Sequence, residues 1–307
     1  MANILLRSPH FEYHTQAGAL SAKLELSLDG QLYYTLVKNT TDVVNGVLFE
    51  VSELARDYID PQFSGTYDSQ TLAVDGVITF YDGVNGTGSA VGTPVTFSHI
   101  GFDGYSYTQD TIKTIPAGAL LQTNSKIYVP DGESGVVPFE NLGAIEYATF
   151  DGAATSVSAG ANTVTIERIC DNKHTPIKLV FINRYGAYQE MWFDKKSVES
   201  MSASEERYKA STINGLGIYN VSNHTSKILS KNGSESVTIN TGFVDEQMYY
   251  PLKELILSES VWTVKDGQVL PVNLDTSSLT HKTKLNDKLI QYTLDFTYSF
   301  DIINNIR

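Results

Sequence analysis

The sequence is poor in cysteine, in long apolar runs and in positive charge, and each shortage excludes a class of protein. The chain of 307 residues has a single cysteine, Cys170, so no disulfide can form within the chain. The apolar run near the start, Ile4–Leu6, is too short for a signal peptide or a spanning helix. No run of about 18 apolar residues occurs elsewhere. We therefore expect a protein without membrane spans, made in a cytoplasm.

Positive charge is scarce, because 22 Lys and Arg stand against 35 Asp and Glu, a formal net charge of −13. Nucleic-acid-binding proteins gain affinity from Lys and Arg on phosphates, so tight DNA or RNA binding is not expected. Residues 1–170 carry 7 basic and 19 acidic residues, whereas residues 171–307 carry 15 and 16. This step in charge predicts a boundary between two domains, 1–170 and 171–307.

Residues 1–170 alternate between apolar and polar side chains, interrupted by turn residues. The alternating segment Lys23–Leu28 precedes Asp29-Gly30 and the apolar-rich Leu32–Val37, and an Asp-Gly pair between such runs indicates a tight hairpin. Further short strands are predicted at 46–51, 72–74, 77–81, 94–97, 104–107, 125–129, 143–150 and 163–169. Strands at this spacing predict a β-sandwich.

Two segments of this first half are not predicted as strands. Ser52–Tyr58 is predicted to form two helical turns, with Ser52 as the cap and Pro61 beyond the end. Residues 151–162 are rich in Gly, Ala and Ser, and their interpretation stays open between a loop, a hairpin tip and a mobile assembly arm.

In residues 171–307, the segment Ile177–Phe193 has two β-branched and aromatic runs around a polar break that contains Gly186. We predict a hairpin there, in the middle of a larger sheet. Apolar residues at helical spacing predict one helix near 244–257, with a kink or restart at Pro251. The alternating segment Leu289–Phe300 predicts a central strand.

Other parts of this half are less clear from their pattern. Between residues 195 and 211, the helix propensity of Ala203–Lys209 competes with strand-like alternation. Residues 218–221 and 236–239 are predicted as short strands and Val261–Val272 as a hairpin. The predicted fold class is therefore mainly β: an N-terminal β-sandwich, then a second β-sandwich or barrel-like domain with one packed helix.

The residue types that usually carry chemistry do not form a familiar pattern. His10 and His14 are four residues apart, but on loop and strand they do not converge as on a helix, and a third ligand is missing. The loop Asp82–Ser89 lacks the alternating carboxylates of an EF-hand, so a turn is predicted. Cys170 lies near His174 in the sequence, but no helix N-terminus or basic cluster accompanies them, so Cys170 is not expected to be a nucleophile. We predict no catalytic, cofactor-binding or metal-binding residues.

Carboxylates and tyrosines leave two further interpretations open. A glycosidase pair is compatible with the many carboxylates, although Glu25 and Glu190 are spaced as on solvated strand faces. The 18 tyrosines would suit sugar stacking, but tyrosine is also common in strands. The candidates for exposed stacking residues are Tyr105, Tyr107, Tyr147 and Tyr188.

Three parts of the sequence carry a family resemblance: Lys173–Phe193, Tyr250–Glu259 with the hairpin Val261–Val272, and Ser8–Phe11 with Ser52–Tyr58. They resemble stretches of a family of tailed-bacteriophage virion proteins. The resemblance implies a non-enzymatic structural protein in the virion, forming a homo-oligomeric ring in the tail, neck or connector beside other virion proteins. Its ring symmetry and its layer are not implied.

The acidic first half is compatible with such a ring, because negative charge would repel DNA and allow passive passage through a channel. Two alternatives remain open: a host-surface or carbohydrate-binding module of the same particle, and a β-rich polysaccharide depolymerase.

Overall fold

The computed structural model describes residues 1–40, 46–110, 113–170, 173–213, 215–219, 221–265, 267–281 and 290–303. The elements of residues 1–170 are β1 Ala2–Leu5, β2 Phe11–Thr15, β3 Ser21–Leu28, β4 Gln31–Asn39, β5 Gly46–Glu50, α1 Ser52–Arg56, β6 Thr71–Tyr81, β7 Ala90–Phe102, β8 Lys126–Pro130, β9 Gly135–Asn141, β10 Ala144–Phe150, β11 Ser156–Ala159 and β12 Asn162–Ile169. The later elements are β13 Ile177–Ile182, β14 Tyr188–Phe193, β15 Val198–Lys209, β16 Ser226–Asn240, α2 Tyr249–Leu257, β17 Val261–Lys265, β18 Gln268–Leu274, β19 Thr293–Tyr298 and β20 Ile302–Ile303. Single 3-10 turns lie at Val84–Gly86 and Glu246–Met248.

The first hundred residues form two packed β layers. One is a five-stranded sheet in the order β1-β7-β6-β3-β4, and the other is the antiparallel pair β2-β5. Between them, Leu24, Leu26 and Ile78 of the sheet pack with Phe49 of β5 and Ala55 of α1, all fully buried. The alternation of β3 thus places its apolar side chains inside, as predicted.

The predicted turns of this region are confirmed, but the predicted break between the strands at 72–74 and 77–81 is not found. Asp29 and Gly30 have φ of 46° and 78° and connect β3 to β4. The loop Asp82–Ser89 is a turn, in which the Asp82 carboxylate accepts the amide of Ser89 at 2.6 Å. The two strands predicted at 72–74 and 77–81 are one strand, β6, because the ring of Phe97 covers Gly76 and fills the position that its missing side chain leaves.

Two local predictions in this half need correction. Helix α1 has Val51, not Ser52, at its N-cap position, because the Ser52 hydroxyl is engaged by the amide of His10 at 3.0 Å. Residues 104–107 form no strand, and the amide of Tyr105 donates to the Arg184 carbonyl oxygen instead. For residues 151–162, the structure favours the hairpin alternative, because β11 pairs antiparallel with β12 around a turn between Ala159 and Asn162.

Two small sheets, β9-β10 and β11-β12-β8, follow the first domain's layers. Their core residues Val129, Val137 and Val164 pack with Trp192 of β14, and Phe102 of β7 packs with Ala187 beside β14. Residues from both sides of the predicted boundary at 170 therefore share apolar clusters. The boundary itself stays a prediction.

The last part of the chain forms an eight-stranded sheet in the order β14-β13-β17-β18-β19-β16-β15, with β20 also paired to β16. The β13–β14 hairpin is confirmed, but its place in the middle of the sheet was predicted wrongly, since among the described residues β14 is an edge strand. It packs against β9, where the Val136 amide donates to the Glu190 carboxylate at 3.2 Å.

Helix α2 covers this sheet, and with it the mainly β fold with one packed helix is confirmed. Leu252 and Leu255 are fully buried against Leu179 and Phe296. The helix does not kink at Pro251, because the proline lies in the first turn, where its missing N–H would have no partner. Among the described residues, no helix has the length and apolarity needed to cross a bilayer.

Two further predictions in this half are settled by the pairing. Strand β19 lies between β18 and β16, so the predicted central strand is confirmed within the described residues, although residue 289 lies outside them. The ambiguous residues 198–209 are strand β15, and 236–239 belong to the longer β16. In the strand predicted at 218–221, residue 220 lies outside the described residues, and the other three belong to no strand; Tyr219 makes an isolated bridge with Ile213.

The turn of the β13–β14 hairpin yields a stability prediction. Gly186 has φ of 79°, and a Cβ there would lie 2.7 Å from the backbone nitrogen of Asp103. We expect Gly186→Ala to destabilise the fold by about 2–5 kcal/mol, from the left-handed backbone and the clash together. The matched control is Gly30→Ala, with φ of 78° and open space around it, which should cost only about 1–2 kcal/mol. Urea denaturation measures both, and equal losses would show that Asp103 is not a close neighbour.

Candidate functional site

The hairpin of β15 and β16, residues 198–240 and here called the arm, is exposed along all of β15 and at the start of β16. Its strands pair from Val198↔Thr238 to Lys209↔Ser226. On the inner side of β16, pairing with β19 reaches only to Ser236, and β20 adds Asn232 and Gly233. Among the described residues, no inner strand pairs with residues 226–231, a stretch that spans about 20 Å at the rise of a strand. The arm therefore projects past the sheet that holds its base.

The arm exposes apolar side chains that a monomer would normally bury. All residues of β15 are exposed, and residues 210–225, here called the tip, include Leu216 at 83% and Val221 at 92% exposure. The other exposed large apolar side chains of the arm are Val198, Met201, Tyr208, Ile213, Ile218, Tyr219, Ile228 and Leu229. Apolar surface concentrated in this way is typical of interaction sites.

The backbone and charge of the arm also suit association. In the described residues β15 pairs only with β16, so its outer row of N–H and C=O groups is available to another strand. Residues 198–240 contain four acidic and four basic residues, so the net charge of −13 lies wholly outside the arm. Another acidic copy can therefore approach the arm with less repulsion than it meets elsewhere.

Glu190, expected on a solvated strand face, is buried, and that expectation was wrong. Its side chain is 5% exposed, because Tyr67 and β9 cover this face of β14. The carboxylate accepts hydrogen bonds from the Lys178 ammonium at 2.9 Å, from the Tyr67 hydroxyl and from the Val136 amide. Burial, followed by the charge of Glu190, raises the pKa of Tyr67. The cavity beside Glu190 has a volume of about 20 Å³, room for about one water and not for a sugar ring.

Of the four candidate stacking tyrosines, two are built into an aromatic cluster. Tyr188 is fully buried against Phe63, Tyr67 and Trp262, and burial raises its pKa to about 12. The hydroxyl of Tyr147 accepts the Tyr188 amide at 3.1 Å. Neither ring can stack on a sugar without opening this cluster.

The other two tyrosines lie beside Arg184. The rings of Tyr105 and Tyr107 meet edge to face, and the guanidinium of Arg184 lies 4.7 Å from the centroid of Tyr107. Lys253 lies 3.9 Å from the same centroid, while Arg184 pairs with Asp110 at 2.7 Å. The Tyr107 ring therefore already makes cation–π contacts with both Arg184 and Lys253.

An open groove of about 730 Å³ lies across the eight-stranded sheet at the base of the arm. Its lining includes Trp192 and Tyr298, together with Lys178, Lys265 and Glu199. Volumes of this order suit small ligands, although Trp192 and Tyr298 are only 8% and 7% exposed.

His10 and His14, the two histidines considered in the sequence analysis, both contact the carboxylate of Glu12. His14 Nε2 lies 2.9 Å from Glu12 Oε2, and His10 Nε2 lies 3.3 Å from Glu12 Oε1. A third histidine, His99 of β7, lies 2.7 Å from Glu12 Oε1. The ligand atoms of His10, Glu12 and His99 all lie within 4.8 Å of one another. Cys170, by contrast, is exposed, and its sulfur approaches the Arg168 carbonyl oxygen at 3.9 Å.

The sequence held signals for some of these features that the analysis missed. His10, Glu12 and His14 alternate, which on a strand places all three on one face. His99 is 87 residues from Glu12 and carries no local signal. The arm was missed because its two strands are separated by 16 residues of tip and neither has a strong apolar face.

Comparison of the chain with protein-family models, curated proteins and solved structures finds no match. The interpretation of these surfaces therefore depends on their own geometry and on the sequence resemblance.

The burial of Glu190 predicts a large effect at its ion-pair partner. Lys178→Met should destabilise the fold by about 3 kcal/mol, because it leaves a buried carboxylate without its cation. The control is Lys265→Met, whose ion pair with Glu199 is exposed at 47% and 63% and should contribute below about 1 kcal/mol. Urea denaturation compares the two. Equal, small losses would place Glu190 in solvent.

Proposed function

We propose that this protein is a non-enzymatic structural subunit of a tailed-bacteriophage particle, which assembles with copies of itself into a ring of the tail, neck or connector. The resemblance of Lys173–Phe193 and Tyr250–Glu259 to virion proteins supports the proposal that the protein is part of a phage particle. The arm supports self-assembly, and its exposed edge strand is the observation that carries the proposal.

Each property of the arm favours a second copy of this chain as the partner. The open edge of β15 offers backbone hydrogen bonds, and the tip offers apolar area to bury. The arm's zero net charge lets it approach a surface that carries −13. A projecting element that contacts a different surface on the next copy makes a heterologous interface, and such interfaces form a ring when the rotation between copies closes.

The buried state of Glu190 weighs against the depolymerase alternative. Its carboxylate is engaged by three partners and faces a cavity of about 20 Å³. A glycosidase carboxylate must instead reach a bound sugar.

A carbohydrate-binding module is the second candidate, and the groove at the base of the arm is the observation that favours it. Its volume of about 730 Å³ and its Lys178, Lys265 and Glu199 could hold a sugar by hydrogen bonds. Glycan-array binding that is lost in Lys265→Ala and Glu199→Ala would support this function over the first.

Removing the tip tests self-assembly. Residues 210–225 are replaced by Asn-Gly, which joins Lys209 to Ser226 through a two-residue turn that suits the pairing already present. We expect concentrated full-length protein to form a discrete large oligomer, and the shortened variant to stay monomeric with an unchanged unfolding temperature. Light scattering and negative-stain images measure this. Equal assembly of both proteins, or of neither, would contradict the proposal.

Point variants separate the tip's apolar contacts from its length. Leu216→Ser with Val221→Ser should weaken association at least about tenfold, because each side chain gains about 1.5–3 kcal/mol on burial. Leu142→Ser is the matched control, since Leu142 is 97% exposed at a turn outside the arm. Analytical ultracentrifugation gives the association constants. A loss of the same size in the control would show that exposed leucine, and not the arm, drives association.

A further inference from the structure

We propose that His10, Glu12 and His99 form a binding site for a divalent transition metal, with zinc as the preferred ion, which joins the two β layers of the first domain. Two imidazoles and one carboxylate are a ligand set that zinc uses in proteins, with the fourth position left to water. The inference does not depend on the proposed function, because it concerns a separate cluster in a different part of the fold.

The backbone places the three ligands on opposite layers that are already packed together. Glu12 lies on β2, which pairs with β5 in the small layer, and His99 lies on β7 in the five-stranded sheet. His99 is held on both sides, by Ala2 of β1 and Val74 of β6. A metal bound to both would therefore join the layers, on elements whose positions are fixed.

His10 precedes β2 but is also fixed in place. Its amide donates to the Ser52 hydroxyl at 3.0 Å, and its carbonyl oxygen accepts the Val51 amide at 3.1 Å. Its ring meets the His99 ring edge to face, with centroids 5.0 Å apart. Both imidazoles therefore face the Glu12 carboxylate from different directions, as ligands of one ion must.

The distances of both imidazoles from the Glu12 carboxylate are close to those that zinc needs, and the two imidazole nitrogens lie within 4.8 Å of each other. Ligand atoms about 2.0–2.1 Å from a tetrahedral ion lie about 3.3 Å from one another. His10 Nε2 is already 3.3 Å from Glu12 Oε1, and His99 Nε2, at 2.7 Å, would have to withdraw by about 0.6 Å. Side-chain rotation can supply a shift of this size without moving the strands.

The cluster also provides an outer contact of the kind that holds a metal ligand in place. His14 holds the second carboxylate oxygen at 2.9 Å, the kind of contact that orients a metal ligand.

Zinc titration of the full chain tests the site. Chelator-treated protein is titrated with zinc by calorimetry, and with Co²⁺ by visible absorption, which reports tetrahedral coordination. We expect one equivalent to bind and the unfolding temperature to rise. His10→Gln and His99→Gln should each weaken binding by about 100-fold or more, and His14→Gln by about tenfold.

The control is His281→Gln, which changes an exposed histidine that lies 3.7 Å from a carboxylate, that of Glu246. It should leave zinc affinity unchanged. Because His10 lies outside the strands, His10→Gln should fold even if His99→Gln does not, and circular dichroism checks this. Absence of zinc binding in the unaltered chain, or equal affinity in His10→Gln, would overturn the inference.

Discussion

An unpaired strand edge is the constraint on which this account depends. Backbone N–H and C=O groups at the side of a sheet will pair with another strand unless something covers them. The two ends of the eight-stranded sheet have different surroundings. Strand β14 packs against β9, and the Val136 amide donates to the Glu190 carboxylate. Strand β15 is exposed along its whole length and carries apolar residues to a projecting tip.

This difference separates the stabilising part of the molecule from the part available to partners. At the covered end, Glu190, Tyr67 and Tyr188 are tied into shared contacts, so side chains that might have acted on a ligand hold the fold together instead. At the open end, the arm has a neutral charge balance while the rest of the chain carries −13. Charge and apolar exposure thus point to the same surface.

The sequence predicted well those features that are set by neighbouring residues. The Asp29-Gly30 turn, the β13–β14 hairpin, the strand β19 and the helix near 244–257 all follow from local pattern. Predictions failed where a distant residue decides the outcome. The burial of Glu190 depends on Tyr67, which is 123 residues away, and the solvated appearance of β14 gave no sign of it.

The candidate surfaces were harder to predict for the same reason. Residues 203–209 have helix propensity, and only pairing with residues 226–233 makes them a strand. The histidine cluster needs β2 and β7 to meet across two layers, and no spacing in the sequence shows that. Both surfaces also lie outside the core, where apolar periodicity carries no information.

Hydrogen exchange along β15, measured as protein concentration rises, tests the central claim most directly. If a second copy pairs with this edge, the outward amides of β15 should exchange rapidly in dilute protein and become protected on assembly, while the core strand β19 is protected throughout. Outward amides of β15 that exchange equally fast in the monomer and in the assembled form would contradict the account.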